Sequence, residues 1–485
     1  MAAAFETVIG LECHVELSTK TKMFCGCRNA FGAPPNSNVC PVCLGLPGSL
    51  PVPNEQAIES IVRIGLALDS TIASDSLFHR KNYFYPDMPK DYQISQYDLP
   101  VCVGGRLEIE VDGSRRPIGI TRVHMEEDTG KTTHVGAGGR IGRAEYALVD
   151  YNRAGVPLVE CVSEPDMRSA EQARAYFTEL RAMLEALGVS DVRMEEGSLR
   201  CDANISTRHA GETELGTKVE IKNLNSVRSL ERALRYEEER QRGALERGES
   251  LVQETRHFDE ETGATHTLRS KEEAFDYRYF PEPDLTPLAP DRAWVEELRG
   301  SLPMLPAELR SSYVSQRGLT SEQARLIAGS PGTAWFFDQV VSLGTDPRSA
   351  ANWITQDLAG LLNTAKADLA DAKVNPRHIA DLVRLVADGT ISATGAKQVL
   401  EEAFETGHTV EAIVERRGLR QVVDSAALGS WVDEAIAENP GPVQQFRGGK
   451  DNALNAVLGQ VMKKSGGSAD PKAVRELLLQ RLSGS

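Results

Sequence analysis

The sequence lacks long hydrophobic runs, an N-terminal targeting segment and an excess of positive charge. No uninterrupted apolar stretch approaches the roughly 20 residues that cross a bilayer, and the opening MAAAFETVIG has no basic segment before an apolar one. We therefore expect a soluble, cytoplasmic protein with no membrane partner. The formal net charge of −16 argues against nucleic-acid binding through the electrostatic field of the whole molecule.

Cysteine is scarce, with eight residues in 485, and one loop rich in Gly, Pro and Asn holds two close pairs of them. The pairs are Cys25 with Cys27 and Cys40 with Cys43. This spacing is typical of a tetrahedral structural zinc site, with a redox dithiol or four unrelated buried cysteines as alternatives. The remaining cysteines lie in strand-like runs, which suits a reducing compartment: Cys13, Cys102, Cys161 and Cys201.

The glycine-rich run at 135–143 lacks the GxxxxGK[ST] spacing of a loop that wraps phosphates. We predict that it is a flexible surface connection. The sequence also shows no internal repeat of fixed period, so a solenoid or propeller is not expected.

The segment before the cysteine loop, residues 8–17, alternates apolar and polar residues as a β-strand does. Glu12, His14 and Glu16 fall on one face, opposite a wholly apolar one. Two carboxylates and an imidazole in a row can hold a hard cation. A solvated strand face would show the same pattern.

Acidic residues recur in two later predicted strands. Glu126, Glu127 and Asp128 are adjacent at the end of a strand that follows a hairpin turn at Asp112-Gly113. A cation would offset their repulsion, so we favour a metal site over an exposed acidic turn. Glu160 interrupts an apolar run, and a carboxylate in such a run is usually paired or ligates something.

Residues 78–98, FHRKNYFYPDMPKDYQISQYD, interleave four tyrosines and two phenylalanines with Arg80, Lys81 and Lys90. The prolines at 86 and 89 predict a fixed loop rather than a helix. Rings mixed with cations suit a phosphate or a nucleotide, although a packed aromatic loop is equally compatible.

Two further strands are predicted at 199–205 and 218–222. Each has an apolar row on one face and a polar, charged row on the other, as a ligand-binding sheet or a solvated sheet would have. Helices with apolar residues at spacings of three and four are predicted at 54–68, 169–187 and 226–247. Their predicted N-caps are Asn54, Ser169 and Ser226.

The length and the distribution of proline predict the domain organisation. A chain of 485 residues is too long for one core. Four prolines within 277–290 end the β-rich part, and the chain is helical from residue 292 with a further break near 408–418. We predict an α+β protein with domains at 1–291, 292–405 and 406–485.

The C-terminal segment differs in charge from the rest of the chain. From residue 441 onward seven basic residues face three acidic ones, which gives a net charge of +4. This segment is the expected contact for a polyanion, although a solvated helix surface more often causes such a cluster.

Several segments within the first 285 residues resemble, in order, the B-subunit family of aspartyl/glutamyl-tRNA(Asn/Gln) amidotransferases, and DNALNAVLGQVMKKSGG resembles the C-terminal domain of that family. The segments are GLECHVEL, CGCRNAFGAPPNSNVCPVCLGLPGSLP, HRKNYFYPDMPKDYQISQYD, HMEEDTGK, DYNRAGVPLVECVSEPD, RCDANIS, VEIKNLNS and YRYFPEPDL.

The resemblance implies an antiparallel β-rich cradle similar to glutamine synthetase, an α-helical domain and a small helical tail that binds tRNA. It implies a heterotrimer of this chain, an amidase-type A subunit and a small C subunit. The reaction implied is ATP-dependent conversion of Glu-tRNA(Gln) or Asp-tRNA(Asn) to Gln-tRNA(Gln) or Asn-tRNA(Asn). The chain shows no amidase serine-lysine arrangement, so the ammonia would come from glutamine through the partner.

The resemblance also implies roles for individual residues. The expected magnesium site, converging in one cavity, comprises Glu12, His14, Glu126, Glu127, Glu160 and Glu220. Lys81 and Asp202 would line the ammonia route or the reaction centre, so the expected catalytic residues are Glu12, His14, Lys81, Glu127 and Asp202. Basic residues would meet the phosphates of ATP, and zinc would be structural; the basic residues are Arg80, Lys131 and Lys218.

Two other functions fit parts of the pattern. One is a small-molecule ATP-dependent carboxylate-amine ligase with the same metal cradle, which would act without tRNA. The other is a tRNA-binding scaffold whose zinc loop and helical tail only position RNA for a partner.

Overall fold

The computed structural model describes residues 5–136, 144–270, 277–421, 425–465 and 469–483. Most of the glycine-rich run predicted as a surface connection lies outside these residues. The chain divides into two compact units, Met1–Pro306 and Ala307–Ser485. Strands dominate the first unit and helices the second, which confirms the predicted α+β class. Within the described residues, no helix is both long and apolar enough to cross a membrane.

The first unit combines strands with four helices in the described residues. The helices are α1 (Glu55–Ala67), α2 (Ala170–Leu187), α3 (Val227–Glu246) and α4 (Arg292–Gly300). The strands are β1 (Phe5–Glu16), β2 (Thr71–Ile72), β3 (His79–Asn82), β4 (Tyr92–Ser95), β5 (Cys102–Val103), β6 (Arg106–Val111), β7 (Ser114–Glu127), β8 (Lys131–Gly136), β9 (Ala144–Asp150), β10 (Pro157–Ser163), β11 (Leu199–His209), β12 (Val219–Lys222), β13 (Glu254–Asp259), β14 (Ala264–Ser270) and β15 (Phe280–Pro281).

One large sheet organises this unit, in the order β14-β13-β12-β11-β1-β10-β7-β5-β2 with β6 also paired to β7. Its pairs are antiparallel, as predicted, except that β12 and β13 run parallel. The exception has a simple cause, because α3 connects these two strands and a helical crossover brings the chain back in the same direction. Smaller sheets are formed by β15-β3-β4 and by β8-β9.

The large sheet has one apolar face that forms the core of the first unit. Along β1 the alternation predicted from the sequence is confirmed, because Leu11, Cys13 and Val15 are buried while the intervening side chains are partly exposed. Helices α1 to α3 pack on this face and bury Tyr176 and Phe177 completely. Burial of each such large apolar side chain contributes about 1.5–3 kcal/mol.

The predicted helix starts are confirmed by their capping bonds. Asn54 accepts from the backbone N–H of Ala57, and Ser169 and Ser226 act in the same way at α2 and α3. The hairpin turn at Asp112-Gly113 is also present, with both residues at positive φ (52° and 75°) as a tight hairpin requires.

The fixed loop predicted at 78–98 is partly wrong. Its flanks pair as the antiparallel hairpin of β3 and β4, with Lys81 opposite Gln93. The two prolines lie in the connecting turn, where no ladder hydrogen bond is required of them. Strand β3 carries Arg80 and Lys81, two of the predicted site residues.

The second unit contains helices and, at Trp353–Leu358, a π-helical segment. The helices are α5 (Pro306–Arg317), α6 (Ser321–Ile327), α7 (Pro331–Ser342), α8 (Pro347–Asn352), α9 (Ala359–Ala365), α10 (Pro376–Ala387), α11 (Ala393–Thr406), α12 (Val410–Arg417), α13 (Ser425–Glu438), α14 (Pro440–Arg447), α15 (Ala453–Lys464) and α16 (Pro471–Ser483).

The domain boundaries expected from proline and charge differ from the packing. Helix α4 was expected in the helical domain, but its Val295 and Leu298 are buried in the core of the first unit. The expected boundary at 405/406 lies inside the second core, because Val410 and Ile413 of α12 pack there. A third core begins at Leu428. Breaks in sequence pattern therefore do not coincide with the limits of the cores.

Candidate active site and metal clusters

The polar face of the large sheet carries most of the acidic residues predicted for the magnesium site. Strand register places them side by side, because His14 is paired with Glu160 on β10 and Glu160 is paired with His124 on β7. On the other side of β1, Glu12 is paired with Asp202 of β11. Paired residues project to the same face of a sheet, so these polar side chains form one surface.

Three of these side chains form a tight group, which we call the carboxylate cluster: His14, Glu126 and Glu160. One ligand atom from each lies within 4.8 Å of the others. His14 Nε2 is 3.9 Å from Glu126 Oε1 and 3.7 Å from Glu160 Oε2, and the glutamate side chains are only 5% and 13% exposed. Carboxylate oxygens with one imidazole suit a hard divalent cation such as Mg²⁺ or Mn²⁺.

The charge state of the cluster also suits a cation. Burial alone would raise the pKa of Glu160, but its hydrogen bond with His124 and the adjacent imidazole of His14 hold that pKa well below the usual range. Glu160 therefore stays anionic although it is largely buried, and the cluster keeps a negative charge that a bound cation would neutralise.

Lys81 faces the carboxylate cluster from the hairpin of β3 and β4. Its ammonium nitrogen lies 4.8 Å from the centre of the Tyr277 ring. Burial opposes protonation, but the charge of Glu126 and weaker effects of Tyr279 and Glu160 raise the pKa of Lys81 above its ordinary value. A cation therefore lies close enough to the cluster to feel the charges of Glu126 and Glu160, as suits a site for phosphoryl groups.

A second acidic row lies beside the cluster on β1, β11 and β12. Glu12 accepts a 2.9 Å hydrogen bond from Asn204 Nδ2, and its pKa is raised by burial and by the charge of Glu160. Lys222 bridges Asp202 at 2.5 Å and Glu220 at 3.0 Å. The expected magnesium site is therefore too large, because the closest group of ligand atoms includes neither Glu12 nor Glu220. Glu12 is still near enough to Glu160 for that charge to raise its pKa, whereas Glu220 lies on β12, three strands away from β10 in the sheet.

An open cavity of about 640 Å³ adjoins Glu12 on the same face of the sheet. Its floor includes apolar positions of three strands, and the exposed Lys218 stands at its margin. The cavity thus combines apolar surface, an acid and a cation. Its apolar lining includes Val8 and Gly10 of β1, Val162 of β10, Ile205 of β11 and, from the connection before β12, Leu215.

Glu127 is a correction to the expected magnesium site. It contacts Lys90 in an ion pair and accepts a 2.9 Å hydrogen bond from the backbone N–H of Ile94. The physical reason is alternation, because neighbours on a strand project to opposite faces and Glu126 already faces the cluster. Glu127 instead lines a second cavity together with Cys25 and Cys43.

Two of the three predicted phosphate-binding cations are placed differently from expectation. Arg80 makes a two-pronged ion pair with Glu282, at 2.7 and 2.8 Å, and contacts Asp284 at 3.2 Å. Because Glu282 is buried, Arg80 holds the hairpin to β15 rather than pointing to a nucleotide. Lys131 is exposed at the start of β8, and only Lys218 borders the cavity beside Glu12.

The four loop cysteines also come together, and we call them the cysteine cluster. One sulfur from each lies within 4.8 Å of the others. The Sγ atoms of Cys40 and Cys43 are 3.8 Å apart, and Lys22 Nζ lies 3.8 Å from Cys43 Sγ. A hydrogen bond from Cys25, opposed by burial and aided by the Cys40 backbone, lowers the pKa of Cys43 to about 5. Four sulfurs grouped this closely, one of them with a lowered pKa, fit zinc.

In the C-terminal segment from residue 441 onward, some of the basic side chains are already paired with acidic residues. Lys464 pairs with Glu434 at 3.0 Å and with Glu438 at 2.8 Å, and Arg481 pairs with Asp433 at 3.3 Å. Other basic residues of the segment are exposed in the described part of the chain: Arg447, Lys450, Lys463, Lys472 and Arg475.

Comparison with known proteins covers nearly the whole chain. The GatB/GatE catalytic domain family matches residues 7–296, and the GatB domain family matches residues 335–482. The B subunit of the aspartyl/glutamyl-tRNA(Asn/Gln) amidotransferase of Moorella thermoacetica is 53% identical over 479 residues, which cover 99% of this chain and all of the relative. The chain belongs to this B-subunit family.

Two more members of the B-subunit family are similar over comparable lengths. The protein of Frankia casuarinae is 52% identical over 489 residues, covering 100% of this chain and 97% of the relative. That of Thermobifida fusca is 51% identical over 490 residues, covering 99% and 95%. The family recognised from the motifs is confirmed, and the comparisons give no support to a small-molecule ligase or a scaffold without chemistry.

Two residues near the clusters of this B subunit were not predicted as site residues from the sequence. His124 is two residues before Glu126 on β7, so the alternation that marked Glu126 could have included it. Lys90 was noted only as a cation in a loop, and its pairing with Glu127 joins elements 37 residues apart. No local pattern predicts such a contact.

Proposed function

We propose that this chain is the catalytic B subunit of a tRNA-dependent amidotransferase. It would use ATP to phosphorylate the side-chain carboxylate of Glu-tRNA(Gln) or Asp-tRNA(Asn), and would amidate it with ammonia from a glutaminase partner. The observation that carries the proposal is the buried carboxylate cluster opposed by Lys81, within a chain that is about half identical to named B subunits over its whole length.

The chemistry needs activation before amidation, because a carboxylate is a poor electrophile. Transfer of the γ-phosphoryl group of ATP to a carboxylate oxygen gives an acyl phosphate and ADP. Ammonia then attacks the acyl carbon, phosphate leaves, and the nitrogen loses a proton to give the amide. Such phosphoryl transfer depends mainly on positioning and on neutralising oxygen charge.

The residues divide this work between them. His14, Glu126 and Glu160 would hold Mg²⁺, which supplies a positive charge that neutralises phosphate oxygens. Lys81 supplies a second, fixed positive charge opposite the cluster. Glu12 and Asp202, on the neighbouring row, would border the reacting groups.

The cavity beside Glu12 is the proposed place of the nucleotide. Its apolar lining offers a surface on which a base could pack, and Lys218 at its margin can meet a phosphate. This assignment replaces Arg80, whose guanidinium is already occupied by Glu282. We further propose that the cysteine cluster holds a structural zinc ion, whose charge with that of Lys22 would balance the thiolates.

The proposal includes partners. Named relatives are parts of a larger enzyme, and ammonia must come from another chain. We therefore propose a cytoplasmic heterotrimer in which a small C subunit joins this chain with an amidase-type A subunit. The exposed basic residues of the C-terminal segment would contact the backbone of the tRNA, by shape rather than by sequence.

The test is ATP-dependent amidation by the complex purified with co-expressed partners. Substrates are mischarged Glu-tRNA(Gln) and Asp-tRNA(Asn) with glutamine and ATP, and Glu126→Gln is compared with Glu108→Gln, an exposed glutamate on β6. We expect the first variant to lose amide formation by at least about 100-fold, as removal of a transition-state charge partner does, while tRNA affinity stays within about twofold.

Other outcomes would decide against the proposal. If Glu126→Gln turned over like the wild type, the scaffold hypothesis would be favoured. If amide formation proceeded equally well with free glutamate in place of the mischarged tRNA, the protein would be a small-molecule ligase.

A further inference from the structure

His124 lies on β7 beside Glu160 of the carboxylate cluster, and it is 4% exposed. We propose that His124 is a positioning residue that holds Glu160 in the orientation in which it binds the metal ion. The inference rests on the proposed function, because it assumes that the cluster binds a divalent cation. It adds a residue whose contribution would be made through Glu160 and not through the metal ion itself.

The hydrogen bonds around His124 define which ring nitrogen carries the hydrogen. Arg122 Nε lies 3.3 Å from His124 Nδ1. A guanidinium only donates hydrogen bonds, so Nδ1 must be the acceptor and the hydrogen belongs on Nε2. That Nε2 lies 3.2 Å from Glu160 Oε2, within donating distance, and 4.0 Å from Glu126 Oε2, beyond it.

This arrangement excludes His124 as a ligand of the cluster while it persists. Its Nδ1 lone pair is occupied by Arg122, and its Nε2 carries the hydrogen that faces Glu160. A carboxylate has about four acceptor positions on its two oxygens, so Glu160 can accept this bond and still bind a cation. Metal-binding carboxylates are commonly held by such outer hydrogen bonds, which restrict their rotation.

The sheet supports the arrangement before any ion arrives. His124 and Glu160 are direct partners across the antiparallel pair of β7 and β10, so the backbone fixes their separation. On the other side of β10, His14 is the direct partner of Glu160. Glu160 is thus flanked by one imidazole that would bind the cation and one that orients the carboxylate.

The experiment measures Mn²⁺ affinity of the complex purified with its partners, by the electron paramagnetic resonance signal of free Mn²⁺. The variants are His124→Ala and His124→Gln, because the glutamine amide can donate near the position of Nε2 and alanine cannot. His266→Ala, an exposed histidine on β14, is the control. Circular dichroism and urea unfolding of each variant check that the fold is kept.

We expect His124→Ala to weaken Mn²⁺ binding by about 10–100-fold, and His124→Gln to bind within about threefold of the wild type. An affinity of His124→Ala equal to that of the wild type would overturn the inference and leave the proposed function standing. Equal losses in the alanine and glutamine variants would also overturn it, since the imidazole itself would then be required. A wild-type complex without Mn²⁺ affinity would overturn the metal site and this inference together.

Discussion

The two clusters of potential metal ligands are built in opposite ways. The cysteine cluster lies in a loop whose residues 29–54 contain no helix or strand and expose apolar side chains such as Phe31, at 78%. The carboxylate cluster lies on β1, β7 and β10, which are joined by continuous antiparallel pairing. The loop contains little regular structure and is held by scattered hydrogen bonds, such as those of Asp150 and Asn152, in addition to its sulfurs. The sheet instead positions its acids by continuous backbone pairing, independently of any ion.

This difference predicts opposite roles for the metal ions. In the loop, a zinc ion would replace the apolar core that the segment lacks, so binding and local folding would be one event. On the sheet, a cation would bind to side chains that are already placed, and its loss would leave the backbone intact. Each of the following experiments tests one side of this contrast.

The largest effect is expected from removing thiols. In Cys40→Ala/Cys43→Ala the zinc ion should be lost, and with it a binding free energy that is on the order of 10–16 kcal/mol in zinc-finger peptides. The loop should then be cut by trypsin at the exposed Arg28, while far-ultraviolet circular dichroism of the sheet persists. Zinc content and the rate of cleavage measure this.

Ser37→Ala, an exposed substitution in the same loop, is the matched control and should keep both the zinc ion and the resistance to trypsin. A double cysteine variant as resistant as this control would show that the loop is ordered without metal, and the contrast between the two clusters would be lost.

The next effect concerns the hairpin of β3 and β4, which carries Lys81. This hairpin is held by an ion pair and not by a metal ion. Arg80→Ala would leave the buried Glu282 without its partner, so we expect a loss of about 3–5 kcal/mol in the free energy of unfolding. Arg106→Ala is the comparison, because its pair with Asp69 is exposed on both sides and should contribute at most about 1 kcal/mol. Urea unfolding of the full chain compares them.

Equal losses in the two arginine variants would mean that burial of Glu282 does not make its ion pair more important. In that case Arg80 would again be free to act on a nucleotide, as expected from the sequence.

A smaller effect is expected when an acid is removed from the cluster. Without a divalent cation, Glu126→Gln should unfold at the same or a higher urea concentration than the wild type, because it removes repulsion between buried carboxylates. At a Mg²⁺ concentration about 100 times the dissociation constant, the wild type should gain about 2.7 kcal/mol and the variant much less. A variant destabilised without Mg²⁺ would contradict a preformed site.

The same contrast explains what the sequence could predict. The convergence of the four cysteines was predictable because they lie within 19 residues, in two close pairs whose spacing is typical of a metal site. The polar row that contains His14 on β1 was predictable from alternation. The caps at Asn54 and Ser169 were predictable from the residue types that favour the N-cap position. Strand order was not predictable, since the acids that become neighbours of His14 depend on the pairing of β1 with β10, whose partners are more than 100 positions apart, and on that of β10 with β7.

Alternation also explains why the magnesium group implied by the resemblance was too large. Glu126 and Glu127 are adjacent in sequence, and a strand must separate them, so only one of them can face His14. The role expected for Arg80 had a similar weakness, because a charge in the sequence does not reveal the partner that occupies it. Glu282 is 202 residues from Arg80.

The smallest effect is expected at Asn54, where the loop meets the first helix. Its Oδ1 caps α1, and its Nδ2 donates to the carbonyls of Thr21 and Lys22 at 3.0 and 3.2 Å. Asn54→Ala should cost about 0.5–2 kcal/mol for the cap, plus the bonds to the loop. Ser169→Ala, which removes a cap far from the loop in sequence, should cost about 1 kcal/mol.

A double-mutant cycle separates the two contributions of Asn54. In the Cys40→Ala/Cys43→Ala background the cost of Asn54→Ala should fall by about 0.5–1 kcal/mol, since residues in one network couple and a released loop no longer offers its carbonyls. The cost of Ser169→Ala should be the same in both backgrounds, because the cap of α2 receives nothing from the loop. If the cost of Asn54→Ala stayed constant as well, the cysteine cluster would order only itself, and β1 and α1 would hold Thr21 and Lys22 without zinc.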